Sequence, residues 1–72
     1  MKIIVDVDNF TETLNTICDA AGKACSALCV EAGLGKNIAY PWRTGRTMPH
    51  LYVFAKFAEA AGFRVVLEEV EN

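Results

Sequence analysis

The polar side chains that could do chemistry in this chain gather between residues 36 and 50. They supply ammonium, guanidinium, amide, hydroxyl and imidazole groups, from Lys36, Asn37, Tyr40, Arg43, Arg46, Thr47 and His50. Arginine can bind guanine through O6 and N7, asparagine can bind adenine through N6 and N7, and cations can hold phosphates. These residue types are typical of a surface that binds nucleic acid.

The charge distribution favours the same interpretation, although the formal net charge is −2. No acidic residue occurs between Glu31 and Glu59, and this interval holds four cations, Lys36, Arg43, Arg46 and Lys56. The remaining segments carry three cations and nine acids, or −6. A basic interval between acidic ends can attract phosphate, while the acidic remainder should weaken non-specific binding and make it sensitive to salt. The alternative is an ordinary solvated face.

No combination of residues predicts an enzyme or a cofactor site. The run GLGK at residues 33–36 lacks both the spacing and the preceding strand of a nucleotide-binding loop. Asp6 and Asp8 are better explained as strand-terminating and helix-capping residues. His50 has no nucleophile near it in the sequence and stands where a helix should start. We therefore expect no catalytic residue and no cofactor.

Three cysteines, Cys18, Cys25 and Cys29, are an odd number in a chain without a visible export signal. This favours free thiols over a disulfide framework. A zinc site needs four ligands, and the single histidine leaves this set without a second close pair. We expect no metal, and interpret the cysteines as small core residues.

Four helices must position the polar interval, and the sequence predicts them at residues 10–21, 24–32, 36–44 and 50–61. Asp8 or Asn9 can cap the first helix, and Gly22 and Gly62 can end the first and the last. Apolar side chains recur at helical spacing in the first and last helices, at Phe10, Leu14, Ile17 and Ala21, and at Leu51, Phe54, Phe57, Ala58 and Ala61. Thr11 falls on the solvent side of this pattern.

The second and third predicted helices are separated by a tight corner at Gly33-Leu34-Gly35, where we expect backbone angles that favour glycine. In the third helix, Ala39 and Trp42 are three residues apart and can point inward together. Two helices joined by a glycine-bearing turn, with polar and basic groups on the second, are the plan of a helix-turn-helix. In that motif the second helix enters the DNA major groove.

Residues 1–7 and 63–70 alternate in character and are predicted to be strands that pair into a small sheet. A two-stranded sheet is marginal and has two open edges. Its second face would expose Ile4, Val66 and Val70, which suggests a homodimer contact by edge pairing or stacking. The alternative is a monomer with a few exposed apolar residues.

The run AGLGKNIAYPWRTGRTMPHLYVFAKFAEAAG, residues 32–62, resembles the helix-turn-helix domain of lambda-repressor and Cro-like, or Xre-type, regulators. The matching features are the Ala32-Gly33 turn, Trp42, Gly45, Pro49, and a following helix with Ala55, Phe57, Ala58 and Ala61. The resemblance covers roughly residues 24–67. It implies a mainly α, four-helix Cro/repressor-like domain, with the terminal strands of residues 1–72 paired into the small sheet.

The resemblance also implies a function. Such a protein is a cytoplasmic transcriptional regulator, often borne by a phage or prophage, that binds double-stranded DNA at an inverted-repeat operator as a homodimer. By position in the motif, base edges would be contacted by Lys36, Asn37, Tyr40 and Arg43, and phosphates by Arg46, Thr47 and His50. No run of apolar residues approaches the roughly 20 that a membrane span needs.

Pro41 departs from this pattern, because a proline inside a helix removes a hydrogen bond and strains the preceding turn. If the third helix is capped as late as Asn37, one bond is lost; if it is capped at Gly35, the helix should kink. A distorted helix would favour an alternative function, a protein-interaction module such as an inhibitor or antirepressor. The acidic total charge and the run Tyr40-Pro41-Trp42 favour that alternative too.

Overall fold

The computed structural model describes residues 1–71 and is mainly helical. Four helices follow one another: α1 (Phe10–Ala21), α2 (Cys25–Glu31), α3 (Tyr40–Arg43) and α4 (Leu51–Ala60). The prediction of a mainly α chain with four helices is confirmed. None of the helices in residues 1–71 has the length and apolar character that crossing a membrane requires.

Helix α1 has the predicted bounds because local signals define both of its ends. The Asn9 side chain accepts a hydrogen bond from the Glu12 amide, and in return donates to the Glu12 carboxylate over 3.0 Å. This reciprocal cap satisfies a backbone donor that the first turn leaves open. At the other end Gly22 is left-handed, with φ of 68°, and its amide donates to the Asp19 carbonyl.

The core is a single cluster to which all four helices contribute. Helix α1 packs against α2 and α3, and α2 packs against α4. Two edge-to-face aromatic pairs cross it: Phe10 with Phe54, whose ring centroids are 5.4 Å apart, and Trp42 with Phe57, at 6.0 Å. Such pairs contribute roughly 0.5–1.5 kcal/mol beyond burial alone.

Leu51 is the one member of the predicted apolar stripes that is fully on the surface, where it is 71% exposed. Helical spacing alone does not place Leu51 in the core. Leu51 is the first residue of α4, beside the exposed connector, whereas Phe54 and Phe57 lie further along the helix and are buried. Helical spacing identifies the face of a helix but not how far along that face the neighbouring elements reach.

The terminal segments, residues 1–7 and 63–71, do not form the predicted sheet, and no strand occurs in the described part of the chain. They lie close enough for Lys2 Nζ and Glu68 Oε2 to be 2.6 Å apart. Within residues 1–71, however, the backbone groups of residues 1–5 and 64–71 make no hydrogen bond to the rest of the chain. Two strands alone gain too little from pairing to offset the ordering of both.

Cys18 and Cys25 are joined in a disulfide, so the expectation of three free thiols was wrong for two of them. The bond links the last turn of α1 to the first residue of α2, across Cα atoms 5.9 Å apart. Cys29 is a free thiol and is fully buried. The odd number of cysteines says nothing about which sulfur atoms the turn at Gly22 brings together.

Substituting Gly22 separates backbone conformation from packing, because an added Cβ would meet no atom within 4 Å. We expect Gly22→Ala to lower the free energy of unfolding by about 1 kcal/mol, since alanine is strained at positive φ. Gly35 is the matched control, because it has equal space and no positive φ. Gly35→Ala should leave stability unchanged or raise it by about 0.5 kcal/mol. Urea unfolding followed by Trp42 fluorescence measures both, and equal losses would contradict the explanation.

Candidate nucleic-acid interface

The predicted recognition helix, residues 36–44, is helical only at Tyr40–Arg43, which is α3. Residues 36–39 are consecutive turns instead. The Ile38 amide donates to the Gly35 carbonyl over 3.2 Å, and the Tyr40 amide donates to the Asn37 carbonyl over 3.2 Å. The prediction was therefore wrong for the first four residues and for Thr44, which caps α3.

Pro41 accounts for where α3 begins. It is the second residue of the helix, where no carbonyl within the helix could receive its missing N–H. The start at Tyr40, with Ala39 as the N-cap, is later than either alternative that the sequence left open. Pro41 thus lies in the first turn of α3 and does not kink it, and Lys36 and Asn37 precede the helix.

The corner between α2 and α3 is built around Gly33, whose φ is 78°. The Gly33 amide donates to the Val30 carbonyl over 3.1 Å, and the Leu34 amide donates to the Cys29 carbonyl over 2.8 Å. This closes the end of α2 with a left-handed residue, as glycine permits. Gly35 does not adopt a positive φ, so the prediction held for the first glycine of the corner and not for the second.

Side chains behind α3 hold the helix in place. Ala39 and Trp42 are buried, as their spacing predicted. The Thr11 hydroxyl of α1 donates to the Arg43 carbonyl over 3.1 Å and also lies 3.5 Å from the Trp42 carbonyl, which accepts the Gly45 amide over 3.3 Å. The assignment of Thr11 to solvent was wrong. Nothing in its spacing signals the role, because the contact is 32 residues away in the sequence.

Cys29 of α2 supports the N-cap of α3. Burial raises the pKa of its thiol, and a hydrogen bond from the Ala39 backbone acts in the opposite direction. The thiol stays protonated over a wider pH range than an exposed cysteine, in keeping with a packing role. Cys29 and Ala39 are both buried in the core that lies behind α2 and α3.

The connector after α3 folds back on Pro41. The amides of Arg46 and Thr47 both donate to the Pro41 carbonyl, over 2.9 and 3.3 Å. The Thr44 hydroxyl lies 3.2 Å from the carbonyls of Tyr40 and Pro41. These amides are consumed internally, so any contact from Arg46 or Thr47 to a phosphate has to come from the side chain.

The seven polar side chains of the predicted site are all exposed: Lys36, Asn37, Tyr40, Arg43, Arg46, Thr47 and His50. Within residues 1–71 none of them makes a side-chain hydrogen bond or an ion pair. The ion pairs found there join Lys2 to Glu68 and Lys23 to Glu31, outside the acid-free interval. The seven side chains thus present their donors to solvent from one connected stretch of fifteen residues, 36–50.

No known family, curated protein or solved structure matches this chain. The chemistry of the site therefore has to be inferred from its own geometry. Cationic and amide donors that face solvent form a surface suited to a polyanion with hydrogen-bonding edges. We call residues 36–50 the candidate interface from here on.

Thr11→Val tests how α3 is held, since it removes the hydroxyl that donates to the end of α3 and keeps the side-chain shape. We expect it to lower the free energy of unfolding by about 1 kcal/mol. Thr16→Val is the control, because the Thr16 hydroxyl bonds only the Glu12 carbonyl of its own helix and such bonds add little stability. Urea unfolding gives both values. If the two variants lose similar free energies of unfolding, the hydrogen bond from Thr11 to α3 stabilises the protein no more than a bond within one helix.

Proposed function

We propose that this protein is a sequence-specific DNA-binding transcriptional regulator with a Cro/repressor-like helix-turn-helix, and that it acts as a homodimer on an inverted-repeat operator. One observation carries the proposal: seven polar side chains of the candidate interface face solvent with their donors free. The buried Ala39 and Trp42 behind them keep the stretch in place. A surface of this composition needs an acceptor-rich partner, and duplex DNA supplies both phosphates and base edges.

The roles follow from position and chemistry. Lys36 and Asn37 precede α3, and it is the N-terminal part of a recognition helix that reaches base edges. Asn37 suits adenine and Arg43 suits guanine, and Tyr40 lies between them on the exposed side. The side chains that follow the helix would contact phosphates; they are those of Arg46, Thr47 and His50. A regulator of this kind is typical of phage and prophage genomes, a further part of the proposal.

The homodimer would form through the terminal segments. Ile4, Val66 and Val70 are 73%, 66% and 75% exposed, so the apolar side chains assigned to dimerisation are free to be covered. Unpaired backbone groups in residues 1–5 and 64–71 offer the edge that strand pairing between copies requires. A two-fold dimer also matches the symmetry of an inverted repeat.

Charge favours one register for that contact. In antiparallel self-pairing centred on Val66, Arg64 of each copy lies opposite Glu68 of the other, and two oppositely charged cross-strand pairs form. Centring on Val65 or Leu67 would place Arg64 opposite Val66 or Val70 instead. The Val66 register is therefore the one that we propose.

A protein-interaction module is the second candidate, favoured by the shortness of α3 and the 60% exposure of Tyr40. The dependence of binding affinity on salt concentration distinguishes the two candidate functions. DNA binding should weaken steeply as salt rises, with a slope reduced by about 1 for each protomer's Arg46 replaced by alanine. A complex built on apolar contacts should change little.

Arg43→Ala tests the proposed function directly. After selection of a preferred duplex from random DNA, we expect this variant to bind it about 1–3 kcal/mol more weakly, with the fold intact by circular dichroism. Lys23→Ala is the matched control, because Lys23 is already paired with Glu31 and lies outside the candidate interface. Equal affinity of Arg43→Ala and the wild type would contradict the role of Arg43. Failure to select any duplex would count against the function itself.

Charge exchange tests the dimer register. Arg64→Glu should weaken dimerisation about tenfold, because it puts two pairs of like charges opposite one another. Adding Glu68→Arg should restore it. Lys2→Ala is the control for loss of the Lys2–Glu68 pair and should leave dimerisation unchanged. Sedimentation equilibrium measures all four proteins. A wild type that stays monomeric would refute the dimer, and a double variant as weak as the single would refute the register.

A further inference from the structure

The Cys18–Cys25 disulfide is the feature of the fold that the proposed function does not use. It joins the last turn of α1 to the first residue of α2 across the turn at Gly22. Helix α2 is only seven residues long, and its N-cap, Ala24, makes no side-chain hydrogen bond. Short helices without caps have little stability of their own. The cross-link therefore holds the end of α2 that is otherwise least secured.

The two bonded sulfurs differ in access. Cys25 is buried, with 6% of its surface exposed, whereas Cys18 is half-buried on the outer side of the core. Thiol–disulfide exchange depends on which sulfur an incoming thiolate can reach. A thiol from solvent therefore meets Cys18 before Cys25.

The third cysteine does not compete for this bond. Cys29 is fully buried, and burial raises the pKa of its thiol, although the hydrogen bond from Ala39 acts against the rise. A protonated, enclosed thiol is a poor nucleophile. Internal exchange is thus disfavoured, and the state of the cross-link depends on thiols supplied from outside.

Helix α2 connects the cross-link to the candidate interface. Its buried Leu28 and Cys29 pack in the core, the Cys29 carbonyl accepts the Leu34 amide, and Cys29 contacts the N-cap of α3 at Ala39. The far end of α3 is held separately by Thr11 of α1. Movement of α2 would therefore reach the N-cap of α3 and the turns before it, which hold Lys36 and Asn37.

We propose that the Cys18–Cys25 disulfide is a thiol-responsive cross-link that is opened at Cys18 and that controls the order of α2 and of the start of the candidate interface. A low-molecular-weight thiolate attacks Cys18 Sγ, the bond to Cys25 breaks, and Cys25 leaves as a thiolate that takes a proton from water. A second small thiolate then attacks the sulfur that the first small thiol contributed to the mixed disulfide. This frees Cys18 and releases the small thiol in its oxidised, disulfide form. Two thiols are oxidised and one protein disulfide is reduced.

The site of attack is tested with reduced glutathione on the oxidised, full-length chain. After a short, fixed reaction time the mixture is quenched with an excess of alkylating reagent, which caps each released thiol, and peptide mass mapping locates the glutathione. We expect the adduct on Cys18 to exceed that on Cys25 by about tenfold, because access selects the sulfur that is attacked. Cys29→Ala is the matched control and should give the same ratio. An adduct mainly on Cys25, or equal adducts on both, would overturn the proposal.

Hydrogen exchange tests the consequence for α2. We expect reduction to speed amide exchange in residues 25–38 by about tenfold while the middle of α1 and α4 change less, since local opening is confined to the released element. The Cys18→Ser/Cys25→Ser variant should reproduce the reduced state without any thiol reagent. Unchanged exchange in α2, or a uniform increase in every helix, would contradict control of α2 by the cross-link.

The effect on DNA rests on the proposed function, and it has a separate readout. The oxidised protein should bind its selected duplex more tightly than the reduced protein or the double serine variant. If both states bind equally, control of the candidate interface is refuted. If neither state binds DNA, the proposed function fails, while the adduct map and the hydrogen exchange still decide whether the cross-link opens at Cys18 and controls α2.

Discussion

The burial of Trp42 is the constraint on which the candidate interface depends. A helix of four residues is below the length at which backbone hydrogen bonding offsets the cost of nucleation, so α3 forms because its inner side is fixed by contacts from other elements. Trp42 meets the edge of Phe57, Ala39 lies against Cys29, and Thr11 bonds the carbonyls at the helix end. The exposed side is then left free for polar groups that contribute nothing to the fold.

This division separates the residues of the core from those of the candidate interface along the sequence. Core residues come from all four helices, while the seven polar side chains of the candidate interface come from fifteen consecutive residues that include α3 and the turns around it. The acidic residues lie outside this stretch, so the negative net charge does not prevent a local positive surface. A total charge describes long-range attraction to a polyanion, whereas the donors in contact decide what is recognised.

What could be predicted from the sequence was what neighbouring residues determine. Helix α1 has both of its predicted ends because Asn9 and Gly22 act within a turn of themselves, and the inward pair Ala39 and Trp42 follows from helical spacing. Features decided by distant contacts were missed. The spacing of Thr11 places its hydroxyl in solvent, and only the packing of α3 against α1 shows that it donates to a carbonyl. The pairing of Cys18 with Cys25 depends on the turn between α1 and α2. The terminal segments alternate in character as strands do, but a stable sheet also needs a further strand or a helix packed against it, which an alternating pattern does not reveal.

The carbonyls at the end of α3 have a consequence for an approaching polyanion. A helix presents a partial negative pole at its C-terminus, formed by carbonyls that lack donors. In α3 the four are occupied: those of Tyr40 and Pro41 by Thr44 and the connector amides, that of Trp42 by the Gly45 amide, and that of Arg43 by the Thr11 hydroxyl. The partial negative charge at the C-terminus of α3 is therefore reduced by donors of the protein itself. A polyanion that approaches the guanidinium groups of Arg43 and Arg46 does not meet carbonyl oxygens that lack donors.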